Sequence, residues 1–162
     1  MLFSSNILWF LPFTLPIAIW VAWSDMKFMK IPNKAVIALA AVYLIMGLAV
    51  FPLETWAWGW AIGAIVLLIG FITATLRMLG AGDAKFAAAM APFFVTADLR
   101  VVLALFAASL VAAFASHRLM RAVPAVRRAT PDWTSWTHAK FPMGLALAGT
   151  LVFYPLLVHA LR

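Results

Sequence analysis

The sequence predicts an all-α polytopic membrane protein, a bundle of six transmembrane helices with both termini on the outer side. Hydrophobic residues make up 67% of the chain and charged residues only 10%, with a mean hydropathy of +1.05, whereas about a quarter of residues are charged in soluble domains. Long apolar runs are separated by short charged or proline-containing breaks. Positive charge collects in alternate breaks. A chain of 162 residues, at about 20 residues per span, has room for one bundle, so residues 1–162 are expected to form a single membrane-embedded domain.

The first span is expected at residues 7–23. No charged side chain precedes Asp25, and Lys27, Lys30 and Lys34 follow the apolar run. A cleaved signal peptide carries its basic residues before that run and a small-residue cleavage site after it. The helix is therefore expected to be retained, with its N-terminus outside. Further spans are expected at residues 35–51, 56–76, 84–96, 101–116 and 141–161. The fourth is the shortest: thirteen residues at about 1.5 Å each reach about 20 Å, less than a hydrocarbon core about 30 Å thick, and Pro92 is placed to kink it. Its crossing bears on the topology after Asp83, not before it.

With this topology the inner breaks hold Lys27, Lys30, Lys34, Arg77, Lys85, Arg118, Arg121, Arg127, Arg128 and Lys140, while Arg100 and Arg162 fall outside. Ten of the twelve basic residues thus obey the positive-inside rule. The formal charge of +7 has no soluble domain to display it to nucleic acid, so no nucleic-acid partner is expected and anionic lipid headgroups are the counter-charge. The absence of cysteine excludes thiol nucleophiles, disulfides and thiolate metal sites. His117, His138 and His159 lack the spacing of a metal site, and no metal ligand is expected.

Two acidic residues stand out. Asp25 lies in Ser24-Asp25-Met26-Lys27-Phe28-Met29-Lys30-Ile31-Pro32-Asn33 and Asp83 in Gly80-Ala81-Gly82-Asp83-Ala84-Lys85. The chain crosses outward once and returns once between them, so both carboxylates are expected on the cytosolic side. By the same count Glu54 and Asp98 belong to outer turns, and Asp132 lies in the polar stretch 127–140 as a solvated carboxylate. Each aspartate alone reads as a hydrated or capping group at a helix end. As a pair at membrane depth they read as functional: two close carboxylates share one proton near neutral pH, so that one activates water while the other polarises a carbonyl and protonates a leaving amine. Such chemistry needs no metal or cofactor. Gly80 and Gly82 permit unusual backbone angles and close approach of a substrate strand, or form an ordinary turn between helices.

Asp25 followed by Lys30-Ile31-Pro32-Asn33, then Gly80-Ala81-Gly82-Asp83 with Lys85, resembles the type IV prepilin peptidases, which are GxGD-type intramembrane aspartyl proteases. Phe141-Pro142-Met143-Gly144 at the opening of the last span resembles the Pro-x-Gly element found there in that family. The resemblance implies removal of a prepilin leader peptide at the cytosolic face of the bacterial inner membrane, with Asp25 and Asp83 as the catalytic dyad. Lys30, Pro32, Asn33, Gly80, Gly82, Lys85, Pro142 and Gly144 are then the motif and substrate-positioning residues. No cytosolic insertion and no cysteine pairs lie between the first two spans, so N-methylation is not implied. The chain is most similar to the short form that serves Flp-type, tight-adherence pili. Expected partners are a prepilin helix and membrane lipids.

Simpler roles stand beside these. Lys30 and Lys85 also serve as positive-inside anchors, Pro32 as a helix-start residue and Asn33 as a partner for freed backbone groups. Gly59, Gly63 and Gly70 read as a close helix-packing seam. Trp56, Trp58, Trp60, Trp133 and Trp136 read as interfacial anchors, and the basic, partly apolar segment after His117 as a surface-lying stretch. Two other functions compete: a peptidase for preflagellin or another signal-peptide-like substrate, and a non-enzymatic proton-linked transporter or scaffold that uses the aspartates for protonation.

Overall fold

A computed structural model describes residues 6–161. The expected outer placement of Arg162, and with it the orientation of both terminal residues, lies outside the described residues. The described chain is all-helical, 82% helix with no strand among these residues. A 3₁₀ turn (Asn6–Phe10) leads into α1 (Leu11–Phe28), followed by α2 (Asn33–Val50), α3 (Leu53–Thr75), α4 (Ala81–Met90), a second 3₁₀ turn (Ala91–Phe94), α5 (Leu99–Ala122), the short α6 (Pro124–Ala129), a third 3₁₀ turn (Thr134–Trp136) and α7 (Gly144–Ala160).

Four segments are long and apolar enough to cross a membrane: Ile7–Phe28, Asn33–Val50, Leu53–Thr75 and Leu99–Ala122. They correspond to the first, second, third and fifth expected spans. The first and fifth run further at their C-terminal ends than hydropathy indicates. Helix α1 continues through Ser24 and Asp25 to Phe28, and α5 carries Arg118 and Arg121 in its last turns, because a helix ends where its backbone is capped and not where its side chains turn polar. Helix α1 stops at Met29, whose left-handed backbone (φ 53°) reverses the chain, its N–H donating to the Asp25 carbonyl. Helix α7 has 17 residues and is shorter than the four long segments. It starts at Gly144 because Pro142 and Met143 form the entry turn, their carbonyls accepting from Leu145, Ala146 and Leu147.

The fourth expected span differs most. Helix α4 begins three residues before Ala84 and ends at Met90, and Pro92 initiates the second 3₁₀ turn instead of kinking a continuous helix. Its length follows from its surroundings. Ala84, Phe86, Ala88, Ala89 and Met90 are buried, and α4 packs against α3, α2 and α7. The glycines of α3 admit it. A Cβ on Gly70 would lie 2.8 Å from the Ala84 Cβ, and one on Gly63 would lie 3.2 Å from the Ala88 carbonyl oxygen. Gly59 instead makes room for the Tyr43 ring of α2.

Large apolar side chains face outward along α3, among them Ile65, Leu68, Ile69 and Phe71, as befits helices solvated by lipid. The interior holds Tyr43, Leu39, Val21, Phe86 and Thr150, each almost fully buried. Tyr43 is its hub: its hydroxyl donates to the Trp56 carbonyl at 3.2 Å, and its ring meets Trp60 and Phe93 edge-on at 5.5 and 5.3 Å. Trp56 and Trp60 therefore pack inward against α2, and of that cluster Trp58, 60% exposed, points outward. Trp136 also departs from the interfacial reading. It is 3% exposed, stacks on His117 at 5.2 Å and donates from Nε1 to the Thr130 carbonyl at 2.9 Å, which folds the loop between α5 and α7 onto itself.

Candidate active site

The turn between α1 and α2 is tied by a hydrogen bond of 2.8 Å from the Ser24 hydroxyl to the Lys30 carbonyl. Ile31 then buries its side chain and Pro32, in extended conformation, precedes the first residue of α2. Its carbonyl accepts from Ala35 at 3.0 Å. This turn holds Asp25 one helical turn back from Met29, facing inward and 5% exposed. A buried carboxylate needs a partner, and Asp25 finds one far away in sequence: the Gly144 N–H donates to its Oδ2 at 2.6 Å.

Gly144 is the first residue of α7, where a backbone N–H has no intrahelical acceptor and the helix end favours negative charge. A Cβ on Gly144 would stand 2.9 Å from both Cβ and Oδ2 of Asp25, so the close approach requires glycine. Pro142, almost fully buried, sets the turn that delivers it.

Asp83 lies in the first turn of α4, with Gly80 at the N-cap in extended backbone (φ −71°, ψ 139°). No described glycine has positive φ, so unusual backbone angles do not explain these glycines. Gly80 supplies space: a Cβ there would run into Oδ2 of Asp83. Gly82 packs on Ile31, where a Cβ would make ordinary contact at 3.4 Å. Burial pushes the Asp83 carboxyl above its ordinary pKa, against the opposing pull of the Gly80 N–H and the Lys140 charge.

The two half-sites face one cavity of about 300 Å³, lined by Asp25, Met29, Lys30, Ile31 and Asn33 on one side and by Gly80, Ala81, Gly82, Asp83 and Lys85 on the other. Lys85 Nζ donates to Asn33 Oδ1 at 3.4 Å, bridging α4 and α2, so Asn33 meets a side chain where freed backbone groups were expected. Pro32, Pro142 and Gly144 shape the turns behind the cavity and do not line it. Met29 and Ser24 were missed in the sequence, which carries no pattern that marks them. Elsewhere Asp98 caps α5, accepting from Arg100 N at 2.8 Å. Among the described residues no group of three His, Asp or Glu side chains is arranged to hold a metal ion.

Comparison with curated proteins and with solved structures gives no match. Residues 12–116 match the sequence model of the type IV leader peptidase family. That stretch includes both aspartates, the turn after α1 and the glycines before Asp83, and stops short of Pro142 and Gly144. Apolar helices and a matched region covering most of the chain lead to one identification: the protein belongs to the type IV leader peptidase family, a family of membrane proteases.

Proposed function

We propose that the chain is an intramembrane aspartic endopeptidase that removes the leader peptide of a Flp-type prepilin at the cytosolic face of the bacterial inner membrane. The observation that carries this reading is the shared cavity, lined by two aspartates from separate helices, Asp25 and Asp83. The pair holds one proton. Its ionised member takes a proton from water as the oxygen attacks the scissile carbonyl carbon, and its protonated member donates to the carbonyl oxygen. Collapse of the tetrahedral intermediate breaks the C–N bond: the proton gained by the first carboxylate passes to the departing amine, and the second carboxylate takes back a proton from a hydroxyl of the intermediate, which restores the pair and leaves the carboxylic acid product.

In this reading the six-span topology places both termini outside. Asp83 sits at the cytosolic mouth in the first turn of α4, ahead of the fourth crossing, which the rest of α4 and its following 3₁₀ turn supply with a rise of about 19 Å. Lys30 and Lys85, at the mouth of the cavity, hold the charge balance of the pair, and the extended turn at Gly80 presents its backbone to an unwound substrate strand.

Cleavage of a matching Flp-type prepilin in membranes carrying the native chain, Asp25→Asn or Asp83→Asn tests the proposal. A single cut at the leader junction by the native chain, with both well-inserted variants inert, is the expected result. Cutting by both variants would overturn the dyad, and a preflagellin cut in place of prepilin would change the substrate while keeping the chemistry.

A further inference from the structure

The loop between α5 and α7 builds a second concave site, of about 790 Å³, whose walls include Arg121, Arg127, Arg128, Asp132, Trp133 and Trp136. Three guanidinium groups against one carboxylate leave this wall with two net positive charges. The site is firmly built at its base. Trp136 is buried, tied to the Thr130 carbonyl at 2.9 Å and stacked between Trp133 at 5.5 Å and His117 at 5.2 Å. Arg127 and Arg128 at the end of α6 are exposed.

The position of the cavity indicates its occupant. It opens at the foot of α5, a 24-residue apolar helix, which puts it at the boundary between hydrocarbon and water. Flanking Arg121 in sequence, Leu119 and Val123 are 68% and 44% exposed, which leaves apolar side chains open at the end of α5. A charged recess at the end of a membrane helix, with exposed apolar side chains close by in sequence, fits a ligand with an anionic head and a hydrocarbon tail.

We propose that this cavity binds the phosphodiester headgroup of an anionic phospholipid. The planar donors of arginine match two phosphate oxygens at once, basic recesses beside membrane helices collect anionic headgroups, and the half-buried Trp133 ring suits headgroup depth. The acyl chains lie on Leu119 and Val123. Asp132 disfavours a more highly charged nucleic-acid backbone in the same recess. This inference is independent of the proteolytic reading, and its test does not read cleavage.

The full chain, purified in detergent, is offered equal amounts of phosphatidylglycerol and phosphatidylcholine with identical acyl chains, and retained lipid is counted by native mass spectrometry at low ionic strength. Phosphatidylglycerol is expected to be preferred. The double variant Arg127→Gln, Arg128→Gln, altered at exposed positions, is expected to lower that preference about thirtyfold, while Arg100→Gln near the other end of α5 leaves it unchanged. No preference in the native chain, or an equal preference in the double variant, overturns the proposal. Competition with sn-glycerol 3-phosphate separates the two sources of a phosphate ester. Failure to displace the lipid supports the assignment, and displacement at concentrations equal to the lipid's overturns it in favour of a soluble ligand.

Discussion

The backbone N–H of Gly144 donates a 2.6 Å hydrogen bond to Oδ2 of Asp25, joining residues 119 positions apart. It fixes the orientation of a carboxylate that has little access to water, and it does so from an element outside the matched family region.

Gly144→Ala should therefore damage the site. Helix propensity alone favours alanine by about 1 kcal/mol. The added Cβ, however, would lie 2.9 Å from Asp25, and overpacking of this kind costs about 1–3 kcal/mol. The expected result is a lower melting temperature and at least a tenfold loss of prepilin cleavage, measured on the same purified sample. An unchanged rate would show that Asp25 does not depend on this contact.

The two glycines before Asp83 should respond unequally. A Cβ at Gly80 meets the Asp83 carboxylate, whereas at Gly82 it meets Ile31 at 3.4 Å, an ordinary contact. Cleavage by Gly80→Ala is expected to fall by more than about tenfold, and cleavage by Gly82→Ala to stay within about threefold. The reverse order would assign the glycines to backbone contact with substrate.

Charge near Asp83 should set the alkaline end of the activity profile. Burial raises the pKa of Asp83, so its proton favours the folded chain. That contribution is complete below the ordinary carboxylate pKa and is lost as pH rises through the folded value. Lys140 acts in the opposite direction. Lys140→Met removes a charge that favours ionisation, and the alkaline limb of the cleavage rate, a property of the carboxyl pair, is expected to move to higher pH. A limb that moves to lower pH would contradict the sign of this coupling.

Two tryptophans that the sequence reads alike, as interfacial anchors, should differ sharply in their effect on stability. Trp136 is 3% exposed and Trp58 60% exposed. Trp136→Ala is expected to cost about 3–5 kcal/mol and Trp58→Ala less than about 0.5 kcal/mol, by thermal or denaturant unfolding in detergent. Equal effects would remove Trp136 from the core of the loop between α5 and α7.

The long helices were legible because apolar runs of sufficient length leave the backbone no alternative within lipid. The meeting of Asp25 and Asp83 at one cavity was legible from the crossings between them. The bounds of α4 were not, since an alanine-rich run has the composition of a span, and its ends are decided by the glycines of α3 and the turn at Pro92. The role of Gly80 stayed open for a related reason. A sequence gives the absence of a Cβ and does not distinguish freedom of φ from room for a neighbouring carboxylate. Trp56, Trp60 and Trp136 look like interfacial residues until Tyr43 and His117 are seen packed against them.

Synthesis order gives the Gly144 contact another meaning. At about 5 to 20 residues per second, Gly144 follows Asp25 from the ribosome by roughly ten seconds. For about the second half of that interval both aspartates are already made, yet Asp25 has no hydrogen-bond donor from α7. Helix α7 thus acts as a timer: until it is made, Asp25 and Asp83 share an unfinished geometry, and its arrival supplies the missing donor.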